Sequence, residues 1–301
     1  MACIRQTHSL LFLLAVVAVG GCGHQRLRHV AVPEVDAPKR PPLSTEEKDN
    51  LRQSTEAAWL KRDDPLVLAK FIEDLETLYS QMPQDGALGA RLSRAYFLMA
   101  RHARMGHDRQ KMLDSLARGV LVGERALVSL YPALQQSTDQ TDPIGANLGL
   151  IDGRGMEALT WYVSNLGAYA ASRGITSLIF YRDRVTAILE RMLVVDPHYL
   201  YSTPHRYWAI FLSRAPAFAG GSLEQARVHF EQAMAKHPSF FANACDYAQF
   251  YAIQKGDRAL FERLLQQVLK ADSSGLADMA PEMRMEQQRA RKLMDHVETL
   301  F

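Results

Sequence analysis

After residue 44, apolar residues recur every three to four positions along nearly the whole chain, and no segment shows the period-two alternation of a half-buried strand. Leu68, Phe71, Ile72, Leu75 and Leu78 give one such stripe behind Asp64-Pro65, an acidic cap followed by a proline where a helix tolerates it. Ser44-Thr-Glu-Glu47 is a capping-box pattern, and it starts a helix that runs to about Lys61. Further helices are expected at Ala87–Ala103, Asp108–Leu130, Met156–Ser172, Leu178–Val194, Pro204–Ser213, Leu223–Lys236, Ser239–Gln254, Asp257–Lys270 and Pro281–Leu300. Stop and turn residues separate them at Met82-Pro83, Gly106, Gly174, Asp196-Pro197, Gly220-Gly221, His237-Pro238 and Gly256. The pattern predicts an all-α chain.

Helices in close succession invite a search for repeats. Ala226, Phe230, Ala233 and Pro238 fit the spacing of the second helix of a tetratricopeptide unit. Val185, Leu189, Met192 and Pro197 fit it again 41 residues earlier, with larger apolar residues in place of the alanines. Small residues let two helices approach, and the proline ends the helix and turns the chain. The offset exceeds the 34 residues of a regular repeat, so the expected architecture is a degenerate tetratricopeptide-like α-solenoid of stacked antiparallel helix pairs. Such arrays usually present a concave binding surface.

The N-terminus has another character. Arg5 precedes an apolar run from Leu10 to Val19, too short for a bilayer span. Val19-Gly20-Gly21-Cys22 then resembles the bacterial lipobox, in which small residues admit the peptidase and the thiol receives the lipid. Residues 1–21 are expected to be a lipoprotein signal peptide, with a diacylglycerol and an N-acyl chain on Cys22 anchoring the chain to a membrane. Residues 22–43, rich in proline and basic side chains, are expected to form a flexible tether, and residues 44–301 the helical domain. Gly23 is not the aspartate that commonly signals inner-membrane retention, so a periplasm-facing protein of the outer membrane is expected. Of three cysteines, only Cys245 then remains in the domain, as a buried core residue without a disulfide partner.

Net charge is +2, and Lys and Arg are interspersed with Asp and Glu, which gives no basic stripe for nucleic acid. No Walker loop, nucleophile elbow or His-Glu-x-x-His pattern appears, and neither His102 with His107 nor His198 with His205 has a spacing that marks a metal site. We therefore expect a binding protein, with no catalytic residue, metal or cofactor beyond the acyl chains. Trp161, Tyr162, Asn165, Tyr199, Tyr201, His205, Arg206, Tyr207 and Trp208 form two aromatic and polar clusters near the repeats. They are candidates for a ligand or partner cavity, with Arg206 meeting a carboxylate and the aromatic rings supplying contact area. The same rings at helical spacing also suit packing between helices.

From about Trp59 to Phe301 the chain resembles the T-component family of tripartite ATP-independent periplasmic (TRAP) transporters, the TatT-like lipoproteins. The likeness is carried by Lys61-Arg-Asp-Asp-Pro65, Leu92-Ser-Arg-Ala-Tyr96, Arg118-Gly-Val-Leu-Val-Gly-Glu-Arg-Ala-Leu127 and Glu157-Ala-Leu-Thr-Trp-Tyr-Val-Ser-Asn-Leu-Gly167. It continues through Asp196-Pro-His-Tyr-Leu-Tyr201, Pro204-His-Arg206, Pro216-Ala-Phe-Ala-Gly-Gly-Ser-Leu-Glu-Gln-Ala226, Tyr247-Ala-Gln-Phe-Tyr-Ala252, Asp257-Arg-Ala-Leu-Phe261, Pro281-Glu and Glu286-Gln-Gln-Arg-Ala290. Ser202-Thr203 and Ala209 depart from glycines expected of the family. The resemblance implies an envelope lipoprotein that assists solute uptake by binding the periplasmic substrate-binding protein of a TRAP system, and that can form a homo-oligomer. The other reading open to such a sequence is a general protein-protein scaffold of the envelope.

Overall fold

The structure is a computed structural model that describes residues 41–136 and 142–301, together with Val32. The expected signal peptide, Cys22 and most of the expected tether lie outside the described residues. Among the described residues there is no strand, and the fold is all-α with helices packed in pairs.

The elements are α1 (Thr45–Trp59), α2 (Pro65–Gln81), α3 (Gly86–Met105), α4 (Arg109–Leu130), α5 (Met156–Arg173), α6 (Ile175–Val195) and α7 (Tyr199–Arg214). They continue with α8 (Leu223–Lys236), α9 (Phe241–Asp246), a π-helical turn (Tyr247–Ala252), α10 (Ile253–Lys255), α11 (Arg258–Lys270), α12 (Ala280–Asp295) and α13 (Val297–Leu300). Local chemistry sets the starts. Ser44 Oγ accepts from the Glu47 amide and the Glu47 carboxylate accepts from the Ser44 amide, completing the capping box. Asp64, Asp85, Asp108, Ser222 and Asp257 each accept an otherwise orphaned amide at a helix start. Each such cap is worth about 1 kcal/mol.

Consecutive helices pack on one another, α3 on α4, α5 on α6, and α7 on α8, and α5 also lies on α3 and α4. Small residues on α4 permit the closest approach. A Cβ on Gly119 would fall 2.4 Å from the Asn165 side chain, and one on Gly123 would fall 3.0 Å from the Tyr162 Cα. The repeat positions behave as their spacing predicts. Ala226, Phe230, Ala233 and Met192 are fully buried, Leu189 is nearly so and Val185 is half-buried, and Pro197 and Pro238 occupy the turns after α6 and α8.

Three apolar cores result. One joins α2 and α3 through Leu68, Phe71 and Leu98, and a second fills α3 to α6 through Leu127, Leu159 and Ile188. A third holds α7 to α12 together through Phe230, Phe261 and Leu265. Ion pairs then tie the two ends of the array to each other. The Arg62 guanidinium, in the turn after α1, donates to Glu282 of α12 at 2.6 and 3.0 Å, and Arg94 of α3 reaches the same carboxylate at 2.5 Å. Arg101 pairs with Glu286 at 2.5 Å, and Arg284 with Asp63 at 2.6 Å. The stacked pairs close on themselves instead of ending in an open array.

The structure departs from the expected helix bounds in three places. Helix α7 begins five residues early through a left-handed turn at Leu200, Tyr201 and Ser202. The segment after Phe241 contains the π turn, and the last helix breaks at His296 before α13.

Candidate functional site

Between the second and third cores lies a cavity of about 610 Å³. That size falls within the range of small-molecule sites, whereas ordinary protein cores leave few voids larger than a water molecule. Its walls come from α3, α4, α5, α6, α7, α9, the π turn, α12 and α13. On α7 the lining residues are Arg206, Tyr207, Ile210, Phe211 and Arg214, a single helical stripe. On α3 they are Phe97, Ala100, Arg101, Arg104 and Met105, again one side of the helix. Val163, Leu178, Val185, Leu189, Phe250 and Leu293 make the rest strongly apolar. Ile175 and Ile179 line the cavity and are also exposed, which places them at its mouth.

Charge is collected on one side of this space. Arg101, Arg206 and Arg289 converge there on two carboxylates, Asp246 and Glu286, both nearly buried. Arg206 donates to Asp246 at 2.9 Å, while Arg289 donates to Asp246 at 2.7 Å and to Glu286 at 3.0 Å. The surrounding guanidiniums of Arg101, Arg289 and Arg206 outweigh burial, which alone would raise it, and hold Glu286 down at about 2. Beyond this network Arg104 and Arg214 also line the cavity, with no carboxylate within ion-pair distance among the described residues. Both are exposed residues at the edge of the cavity; partial desolvation against its wall lowers both guanidinium pKa values, and for Arg104 the charges of Arg214, Arg289 and Arg101 add to the effect.

The nine residues singled out from the sequence are distributed over three environments. Arg206 and Tyr207 line the cavity. The Tyr207 hydroxyl accepts from Ser164 Oγ at 2.9 Å, and the Arg206 guanidinium spans Asp246 and Thr203 Oγ1, leaving its buried Nε without a partner. Trp161, Tyr162 and Asn165 are core residues of α5. Trp161 packs 5.9 Å from Phe97 under the Arg94 guanidinium, and Tyr162 is fully buried and accepts from Arg184. Asn165 donates to Ser93 O at 3.0 Å and Trp161 O at 2.8 Å, pinning α5 to α3 across Gly119. Half-buried Tyr199 has its phenol pushed up to about 12 by desolvation.

Tyr201, His205 and Trp208 occupy the other side of α7, toward α8 and the turn before α9. Tyr201 stacks on Phe240 at 4.8 Å, Trp208 stacks on Phe211 at 5.7 Å, and His205 meets His229. The sequence reading missed Arg101, Arg104, Arg214, Asp246, Glu286 and Arg289, which define the polar side of the cavity. Among the described residues no group of three His, Cys, Asp or Glu side chains is arranged to hold a metal ion. Cys245 is fully buried and burial pushes its thiol well up, which suits a packing residue.

No helix among the described residues is long and apolar enough to cross a membrane. Residues 67–301 match the family model described as TRAP transporter T-component. No curated protein matches the chain.

Proposed function

The chain belongs to the TRAP transporter T-component family, accessory transporter subunits rather than enzymes, and on that premise we propose that it binds an organic ligand in the cavity and delivers or receives it by docking with a periplasmic substrate-binding protein. In this reading Cys22 carries the acyl anchor, and the helical domain faces the periplasm from the outer membrane. The observation that carries the proposal is the cavity itself. An apolar cavity of this size keeps apolar walls in contact with water, and a ligand that displaces that water gains the burial of those walls. The opening at Ile175 and Ile179 gives such a ligand a route that does not require the core to unfold.

The test is a pull-down from solubilised membranes with the lipidated protein tagged after Phe301, and identification of partners by mass spectrometry. Recovery of a TRAP substrate-binding protein supports the proposal. Reproducible recovery of envelope assembly proteins, without any transporter component, replaces it with the scaffold reading.

A further inference from the structure

Resting on the reading of the cavity as a ligand site, we infer that its ligand is a single-chain amphiphile with an anionic head, and that Arg104 and Arg214 receive that head. The inference begins with charge matching inside the cavity. Among the described residues Asp246 and Glu286 are the two carboxylates on its wall, and Arg101, Arg206 and Arg289 already engage them. Among the described residues Arg104 donates to neutral groups, Ser172 Oγ at 3.3 Å and Met112 Sδ at 3.5 Å. The Arg214 guanidinium sits 5.6 Å from the Phe250 ring, which also carries Arg289 at 5.9 Å. Exposed cationic side chains, Arg104, Arg214 and Lys292, thus gather at the edge of an apolar chamber, with no carboxylate within ion-pair distance among the described residues.

A second observation points the same way. Arg206 is almost fully buried, yet its Nε–H has no acceptor. A buried donor without a partner is destabilising, and an oxyanion or a water beside Arg206 would satisfy it. Each ligand class can be weighed against this arrangement. An organic cation would be repelled. A neutral apolar molecule would fill the chamber and leave the guanidiniums at its edge without an anion. A small polar anion would satisfy the charge and leave Val163, Leu189, Ile210 and Phe211 facing water. A chain with an oxyanion head satisfies both ends. Carboxylate and phosphate monoester heads share the required chemistry, since a guanidinium fork accepts either in bidentate fashion.

Calorimetric titration tests this on the lipidated protein in lipid nanodiscs, with the signal from empty discs subtracted. The probes are decanoate, decyl phosphate and decanol, and the variants are Arg104→Gln, Arg214→Gln and their combination. The expected result is that one or both anions bind about tenfold or more tighter than decanol, with the stronger of the two identifying the head. The double variant should lose this preference and keep its affinity for decanol, which reports an intact chamber. Equal binding of decanol and the anions by the native protein overturns the inference and leaves the ligand cavity standing. So does a preference that survives in the double variant. If no probe binds at all, the cavity reading falls too, and partner recovery then decides the remainder of the proposed function independently.

Discussion

At the scale of residues, four imidazoles crowd the side of α7 that faces away from the cavity. His205 and His229 approach Nδ1 to Nδ1 at 2.9 Å, so one ring must donate and the other accept. His198 lies 5.8 Å from His205 and 6.2 Å from His237, with Trp208 beside His229. Burial, helped by His229 and His198, pushes His205 down to about 4, and burial also lowers His229 and His237. An unfolded imidazole titrates near 6.5, so between these values the unfolded chain binds the proton that the folded one refuses. Stability is therefore complete above about pH 7 and declines as pH falls toward 4, by roughly 1–2 kcal/mol for a half-buried ring after solvent screening. Thermal melts over that window should slope downward with acid, and His205→Gln should flatten the slope; an identical slope in the variant would refute the assignment. The site was only partly legible at this scale. Arg206 and Tyr207 drew notice because aromatic and basic residues adjoin there, but the same criterion selected Trp161 and Tyr162, which are core. Arg104 and Arg214 are 110 positions apart in the chain, and only folding makes them neighbours. Their one local signature is an arginine on an otherwise apolar stripe, as in Phe97, Ala100, Arg101 and Arg104.

At the scale of elements, the helices were readable because burial, caps and breakers act within a few residues of each other. What the spacing does not encode is backbone that tertiary contacts impose. Leu200, Tyr201 and Ser202 have φ of 43°, 59° and 63°, a left-handed turn that costs roughly 1–2 kcal/mol per residue for side chains other than glycine. The stacking of Tyr201 on Phe240 and the bond from Asn243 Nδ2 to Tyr201 O at 3.2 Å hold it in place. Ser202, one of the departures from the family's expected glycines, thus stands where the backbone itself favours glycine. Because Ser202 is buried and contacts His198, it is a poor place to measure that strain. His107 is a better one. It follows Gly106 at the end of α3 with φ of 59°, its side chain is exposed, and the next amide closes the turn on Ala103 O at 2.9 Å. His107→Gly relieves the left-handed strain and gives back part of the gain to the greater entropy of the unfolded chain. A net stabilisation of about 0.5–1 kcal/mol, or roughly 1–2 °C in Tm, is expected. A lower midpoint in denaturant would show that the turn is not strained.

At the scale of the whole molecule, closure of the array matters more than any single repeat. Arg62 is only 1% exposed and lies 4.3 Å over the Trp59 ring, while its fork meets Glu282, which is 220 residues away in sequence and 5% exposed. Arg94 shares that carboxylate, and the neighbouring Arg101–Glu286 pair reaches across the same helices to the wall of the cavity. No feature of the sequence announces these contacts, since Arg62 among the charges after α1 and Glu282 in the charged helix α12 each read as ordinary surface charge. Burial makes the arrangement asymmetric in energy. The native pair is worth little over an apolar replacement, but removing one partner strands a buried charge at a cost of about 3–5 kcal/mol. Glu282→Gln should therefore lower the unfolding free energy in urea by that order. The loss should also be spatially organised, because Glu282 is what fastens the turn after α1 to α12. Amide exchange should quicken first in α1 and α2, while the core of Phe230, Phe261 and Leu265 keeps its protection. A cost below about 1 kcal/mol, within the range of an exposed pair, would mean the ends are held by apolar packing alone. Faster exchange spread evenly over all helices would instead mean that the ion pairs stabilise the fold without closing it.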